Sequence, residues 1–289
     1  MTAIIIGANG QDGYYLSELL KVNGVTVVGV SKRGDFLRTD ITKYEEVAAL
    51  VKELQPSYIF HLAANSTTRH EVMFENHETI CTGTLNILEA VKNYSPATKV
   101  FISGSGLQFV NNNQPIKETD PFEARDPYSI SRIQSVYAAR YFRRLGLKVY
   151  VGYFFNHDSP RRTERHMAKK IAEAVKRIAA GSSEKLEIGD STVIKEWTFA
   201  GDVVKGIWQL IQQDLVFEAN IGSGKGYSIE EYLSVCFSII HKDWKNHVIL
   251  KNDFTPEYKQ LVSDASLIFS LGWKPDVSFE QLAEMMINQ

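Results

Sequence analysis

Short apolar runs alternate with longer amphipathic segments through the first half of the chain. Residues 3–6 (Ala-Ile-Ile-Ile) form an unbroken apolar run that ends at a glycine-rich stretch, which predicts a strand. Residues 13–22 carry apolar positions at helical spacing, 25–30 is again apolar and β-branched, 44–54 returns to helical spacing, and 58–62 is another short apolar run. A long helix over 78–94 and a strand over 99–103 continue the series. Repetition of this kind predicts a parallel sheet with helices on both faces. Strands without polar alternation fit a sheet that is buried on both sides. Residues 111–127 are rich in Asn, Pro, Asp and Glu and read as a surface loop. A helix over 128–145 and a strand over 148–154 follow. After Asn156 the pattern loosens, with helices near 165–180, 200–213 and 228–240 separated by short irregular pieces. The expected division is a sheet domain over 1–155 and a smaller lobe over 156–289, with the chain crossing back to the sheet.

A chain of 289 residues suits one large domain or one domain with a lobe. The net charge of -2 gives no overall basic field, so nucleic acid is not an expected partner. Cys81 and Cys236 lie far apart without metal-ligand spacing, which fits two reduced thiols. His61, His70, His77, His157 and His166 show no metal-site spacing, so no metal is expected. No apolar stretch reaches membrane-spanning length, and the first residues lack a basic region and a long apolar core of the signal-peptide kind. The expected location is therefore the cytoplasm, with no membrane partner.

The turn after the first strand reads Gly7-Ala8-Asn9-Gly10-Gln11-Asp12-Gly13. Glycine permits a tight turn and close approach of backbone to a pyrophosphate, and the following helix N-terminus favours the phosphates. A lone glycine triad is weak, but at the start of an alternating α/β chain it predicts a Rossmann-type, doubly wound dinucleotide site. Gly7, Asn9, Gly10, Gln11, Asp12 and Gly13 are the candidate cradle. The end of the second strand carries Ser31-Lys32-Arg33 where NAD sites usually carry an acid. Lys32 and Arg33 suit a 2′-phosphate, which favours NADP over NAD. Asp40 and Ile41 are candidates beside the adenine, and Leu62, Ala63 and Ala64 are small enough to lie against the cofactor.

Tyr128 and Arg132 stand four positions apart at the start of a helix and so share one face. A cation beside a tyrosine helps it to take a proton from a hydroxyl while hydride leaves. Ser105, in Ser103-Gly104-Ser105-Gly106, follows the preceding strand and suits orientation of the reacting oxygen. Each piece alone is unremarkable; their order behind the glycine turn raises the catalytic reading.

Taken together, these motifs resemble the extended short-chain dehydrogenase/reductase family, and within it the GDP-mannose 4,6-dehydratase branch. The most specific pieces are the glycine turn with Tyr14-Tyr15-Leu16, His61-Leu62-Ala63-Ala64-Asn65-Ser66, and Phe155-Asn156-His157-Asp158-Ser159-Pro160-Arg161-Arg162. Gly272-Trp273-Lys274-Pro275 is also typical of nucleotide-sugar members. The resemblance implies Ser105, Tyr128 and Arg132 as the catalytic set, and it implies substrate contacts at Asn156, Arg161, Lys170 and Lys195. It implies a nucleotide-diphosphate sugar, GDP-linked, as substrate.

The sequence departs from that family at three places. Arg132 stands where the family has lysine, and its bulk and high pKa make it a poorer proton relay. Leu107 stands where 4,6-dehydratases carry an acid, so elimination would need another carboxylate such as Glu118 or Asp120. Only residues 34–39 separate Arg33 from Asp40, which argues against the long inter-subunit loop of a tetramer and leaves a homodimer on the helices near Glu78 and Tyr128. The expected activity is hydride transfer at C4 of a nucleotide-linked hexose, in the manner of a dehydratase. The missing acid leaves a 4-keto reductase or an epimerase as the alternative. A catalytically weak cofactor-binding protein is the alternative from another class.

Overall fold

Six parallel strands form the main sheet of this computed structural model, which describes residues 1–251 and 253–288. In chain order they are β1 (Thr2–Ile6), β2 (Thr26–Val30), β3 (Tyr58–His61), β4 (Lys99–Ser105), β5 (Val149–Phe154) and a sixth strand, Glu218–Ile221. Across the sheet the order is β2, β1, β3, β4, β5 and the sixth strand. The helices are α1 (Gln11–Val22), α2 (Tyr44–Leu54), α3 (Met73–Asn76), α4 (Gly83–Tyr94), α5 (Pro127–Arg144), α6 (Met167–Ala179), α7 (Ala200–Ile211), α8 (Ile229–Ile239), α9 (Ser266–Ser270) and α10 (Phe279–Asn288).

Successive residues of a strand point to opposite faces, and both faces here are dry. Ile4, Ile6, Ile59, Val100 and Ile102 pack under α2, α4 and α5. Their neighbours Ala3, Ile5, Phe60 and Phe101 pack under α1 and α7. The second layer is completed by residues far along the chain: Val203, Ile207 and Leu210 of α7 share a core with Leu16 and Leu20 of α1. The sixth strand extends the sheet beside β5. A third core joins α6, α8 and α10 around Trp197 and Tyr232, whose rings stack at 4.0 Å.

Two segments differ from the sequence expectation. The helix expected over 78–94 starts earlier and is not uniform: α3 runs into a π-helical stretch, His77–Thr82, and then into α4. The wide turn seats Cys81 against α5, with its thiol 3.3 Å from the Ser131 carbonyl and 2.9 Å from Gln134 Oε1. Residues 111–127, read as a surface loop, are pinned in the middle. The Ile116 side chain is buried, and its N–H donates to the Val262 carbonyl at 2.9 Å. Composition alone conveys no such long-range pairing.

Candidate active site

The glycine turn lies where the strand order reverses, with β2 on one side of β1 and β3 on the other. Gly7 has φ +93°, and a side chain there would stand 2.8 Å from the Ala63 nitrogen. A side chain at Gly13 would stand 2.5 Å from the Gly7 carbonyl oxygen. The turn therefore presses on the end of β3 and on its own helix, and only glycine fits. Gly10 caps α1 without a side-chain acceptor, so the first N–H groups of the helix are left for a ligand. The cradle, at a topological switch point, has the geometry that fits a dinucleotide pyrophosphate.

The side chains of the turn serve a second purpose. Gln11 donates to the His157 carbonyl at 3.3 Å and accepts from Ser159 Oγ at 2.8 Å. Asp12 Oδ1 lies 3.0 Å from His157 Nε2, and His157 Nδ1 lies 2.8 Å from the Phe155 carbonyl. Both ring nitrogens face acceptors, which the imidazolium satisfies and a neutral ring does not. Burial alone would lower the His157 pKa, but Asp12 outweighs it and raises it above its ordinary value. Gln11 and Asp12 thus bolt the cofactor turn to the 155–162 segment, while their backbones remain at the cradle.

Asn9 is exposed beside Gly34. The loop after β2 folds back, with Ser31 donating to the Leu37 carbonyl at 3.2 Å and the Phe36 ring seated over Gly29. Lys32, Arg33 and Arg38 stand exposed on it and form no ion pair among the described residues. Arg38 was not singled out from the sequence; it enters the group because the loop returns on itself. Asp40 Oδ1 accepts from Thr42 N and Oγ1, and these bonds hold its carboxyl below the usual range. Ile41 is buried, and a side chain at Gly83 would strike it. Leu62, Ala63 and Ala64 continue from β3 past the glycine turn.

Ser105 ends β4, where its Oγ accepts from the Leu107 N–H at 3.2 Å and its own N–H donates to Gln108 Oε1 at 2.9 Å. Tyr128 enters at the first turn of α5. Asp126 caps that helix by accepting from the N–H groups of Tyr128 and Ser129, and Pro127 holds its first position. One turn on, the Arg132 guanidinium lies 4.9 Å from the centre of the Tyr128 ring. Arg132 is only 4% exposed and donates to Ser103 Oγ at 2.8 Å and to the Ser103 carbonyl. The longer side chain is therefore anchored on β4 and faces the tyrosine through its ring. His61 lies close by. Burial and then Arg132 push it down to about 4, so it is neutral, and its Nε2 meets the Thr79 carbonyl at 3.1 Å.

A cleft of about 280 Å³ opens beside this junction. Gly106, Leu107 and Asp126 line it from the sheet side, and Glu257 and Tyr258 from the lobe side. Asn156 Oδ1 is 3.5 Å from the Tyr258 hydroxyl, and burial pushes that phenol up to about 12. Neither carboxylate considered from the sequence reaches the cleft. Glu118 accepts from Asn220 N at 2.7 Å, and Asp120 accepts from Lys117 N at 2.8 Å. Glu257 was missed because it sits in an irregular stretch without periodicity.

Farther along the 155–162 segment, Arg162 Nε stands 3.6 Å from Asp158 and Lys195 Nζ stands 4.3 Å over the Trp197 ring. Burial lowers the Lys195 pKa, and burial followed by Arg162 holds His166 at about 4. Arg161 turns outward onto the Tyr14 ring at 3.7 Å. The Lys170 ammonium donates to the Glu187 carbonyl at 2.7 Å, so it is tied to the lobe backbone and does not line the cleft.

A glycine cradle at the sheet's switch point, with a serine and a helical tyrosine beside a second cleft, defines an extended short-chain dehydrogenase/reductase. The sequence profile described as "GDP-mannose 4,6 dehydratase" matches residues 4–286, and the chain belongs to that family. GDP-mannose 4,6 dehydratase 2 of Arabidopsis thaliana is 32% identical over 320 residues, covering 99% of this chain and 86% of the relative. GDP-mannose 4,6-dehydratase of Yersinia enterocolitica is 28% identical, covering 99% and 92%. Among solved structures, UDP-glucose 4-epimerase of Thermotoga maritima with UDP-glucose superposes with TM-score 0.87 at 23% identity, over 100% of this chain and 98% of that one. RMD from Pseudomonas aeruginosa complexed with NADPH superposes with TM-score 0.87 at 20% identity, over 100% and 98%. These two likenesses establish the fold. Family membership makes the chain an NAD(P)-dependent enzyme that modifies a nucleotide-linked sugar.

Proposed function

We propose that this protein carries out hydride transfer at C4 of a GDP-linked hexose with NADP, and that Ser105 and Tyr128 handle the C4 oxygen. The observation that carries the reading is the packing of α5 on β4, which sets the Arg132 cation over the Tyr128 ring on a helix anchored at Ser103, two residues before Ser105 ends the strand. When bound, the nicotinamide supplies or accepts the hydride. Ser105 Oγ already accepts from the Leu107 N–H, which leaves its own proton to donate to the C4 oxygen. Tyr128 takes or returns the hydroxyl proton, in reach of a cation that favours the exchange.

Lys32, Arg33 and Arg38 support the choice of NADP, because three cations without carboxylate partners among the described residues suit a 2′-phosphate. Lys195 and Asn156 suit the sugar diphosphate, and the family supports a guanine base. On α4 and α5, Leu85, Ile130, Tyr137 and Tyr141 are exposed large apolar side chains, which supports a homodimer through these helices. No helix among the described residues is long and apolar enough to cross a membrane, and the two buried free thiols suit a reducing cytoplasm.

Leu107 favours a second reading, a 4-keto reductase or epimerase, since both need hydride transfer without elimination. Mass spectrometry with chromatographic separation of isomers, applied to products from NADP(H) with GDP-hexoses and their 4-keto derivatives, separates the readings. Loss of water marks the dehydratase, gain of two hydrogens the reductase, and a new isomer of unchanged mass the epimerase. Tyr128→Phe is expected to lower turnover roughly 10²- to 10⁴-fold while NADPH binding persists. Equal turnover in both proteins would remove Tyr128 from the chemistry. Firm cofactor binding without any turnover would leave a binding protein.

A further inference from the structure

We propose that Ser103 is a positioning residue for the proton step: its hydroxyl fixes the Arg132 guanidinium against the Tyr128 ring, where the cation is the counter-charge for tyrosinate. The inference rests on the reading above, that Tyr128 exchanges a proton with the C4 oxygen. Ser103 and Ser105 stand two residues apart on β4, yet their hydroxyls are engaged differently. Ser105 Oγ accepts from the Leu107 N–H and keeps its proton for a ligand. Ser103 Oγ donates its one proton to the His61 carbonyl at 3.1 Å and accepts from Arg132 Nη1 at 2.8 Å. It is 1% exposed, so it has neither a proton nor a surface to offer a substrate.

That engagement matters because of what Arg132 lacks. The guanidinium is buried, no carboxylate pairs with it among the described residues, and its Nε has no partner. A buried cation without a counter-ion is costly. The titratable groups around it do not supply the missing charge. His61 on β3 is neutral, and burial raises the Cys81 thiol on the π-helical stretch, which keeps it protonated. Asp126, at the start of α5, is committed to the N–H groups of Tyr128 and Ser129. The anion within reach is the one that forms during the reaction, on the Tyr128 ring 4.9 Å away. Arg132 Nη1 donates to both the carbonyl and the hydroxyl of Ser103. Two acceptors for the two hydrogens of one nitrogen fix the plane of the guanidinium, whereas the carbonyl alone would let it pivot. A cation already in place when charge develops needs no reorganisation at that moment. A lysine would present a rotating point charge with no plane to fix, so the task of Ser103 arises with the arginine. The C4 hydroxyl proton passes to the tyrosinate oxygen in oxidation and back in reduction, and neither Ser103 nor Arg132 gives up a proton.

Hydride transfer is followed in a single turnover, as NADPH absorbance gained with a GDP-hexose or lost with a GDP-4-keto-hexose, whichever wild type performs. Single turnovers stay readable when catalysis is slow. Ser103→Ala is expected to lower the rate at saturating sugar roughly 10-fold, the worth of one hydrogen bond to a charged group. The half-saturating sugar concentration, the NADPH affinity and the melting temperature are expected to stay near wild type. Arg132→Met removes the cation, and in that background Ser103→Ala is expected to cost nothing more. The same loss on both backgrounds would mean that Ser103 acts through the strand and not through Arg132, which overturns the proposal. So would an unchanged rate in Ser103→Ala, or a weakened affinity with the saturated rate intact. If wild type transfers hydride and one of these results follows, the Ser103 assignment falls alone. If wild type transfers none with either class of sugar, the assignment falls together with the C4 reading.

Discussion

The sheet half and the lobe are both well buried, but they satisfy their interiors differently. In the sheet, β1 to β5 pair with neighbours in register, so the backbone provides its own acceptors and the strands between the helices are almost wholly apolar. The lobe has only short strands, and buried carboxylates supply the missing acceptors. Glu196 is fully buried and takes N–H and hydroxyl donors from Ser223 and Ser263. Asp202, also fully buried at the start of α7, where that helix leaves the lobe to pack on the sheet, takes the N–H groups of Asp276 and Val277 at 2.9 and 2.8 Å, together with the Lys205 ammonium. Irregular backbone buried away from water needs such partners. The lobe is therefore held by a few side chains joining distant segments, whereas the sheet is held by many small apolar contacts.

That contrast breaks most sharply at Glu196. Glu196→Leu leaves the buried Ser263 donors and the half-buried Ser223 donors without their acceptor, which is expected to destabilise the protein by roughly 3–5 kcal/mol. Glu196→Gln keeps one acceptor oxygen and is expected to cost less. Urea denaturation of both variants checks the order; equal costs would mean that the carboxylate acts by volume alone. At the other extreme, Lys32→Ser with Arg33→Ser changes an exposed loop at the edge of the sheet. Stability is expected to stay within error, while affinity for NADP falls about 10- to 100-fold, the worth of one or two charge-assisted hydrogen bonds. Affinity for NAD should be nearly unchanged. Equal losses for both cofactors would show that the pair serves the loop and not the 2′-phosphate.

The same contrast explains what the sequence revealed. Apart from the π-helical entry to α4, the strands and helices through residue 154 were legible because each has a local apolar pattern, and the glycine turn because only glycine fits beside Ala63. The placement of Ser105 at the end of β4, and of Tyr128 and Arg132 one turn apart on α5, was legible through spacing along one strand end and one helix turn. By contrast, Ile116 pairing with Val262, Arg38 joining Lys32 and Arg33, and Glu257 facing Leu107 all depend on contacts between distant segments. Lys170 enters as a substrate contact through the resemblance alone, and the bond of its ammonium to the Glu187 carbonyl is a partner no local pattern discloses. Gln11 and Asp12 were legible as part of the cradle, but their side-chain partners lie more than a hundred residues away.

Those two residues join the regions, and their pairing with His157 gives the smallest effect and the finest test. His157 has a folded pKa raised above its ordinary 6.5, because Asp12 overcomes the cost of burial. Burial works against the Asp12 charge too, but His157 and Arg162 outweigh it and hold that pKa below 3.8. The histidine contribution is therefore complete below pH 6.5 and is lost as pH rises through the raised value. The aspartate contribution is complete above pH 3.8 and is lost as pH falls through the lowered value. The pair stabilises most between those limits. His157→Gln replaces a charged hydrogen bond by a neutral one, so it is expected to cost about 1 kcal/mol in that window. The gap should close as pH rises past the histidine's folded pKa. Urea midpoints across a pH series read this directly. Curves that stay parallel from acid to alkaline pH would mean that His157 joins the cofactor turn to the 155–162 segment as a neutral ring.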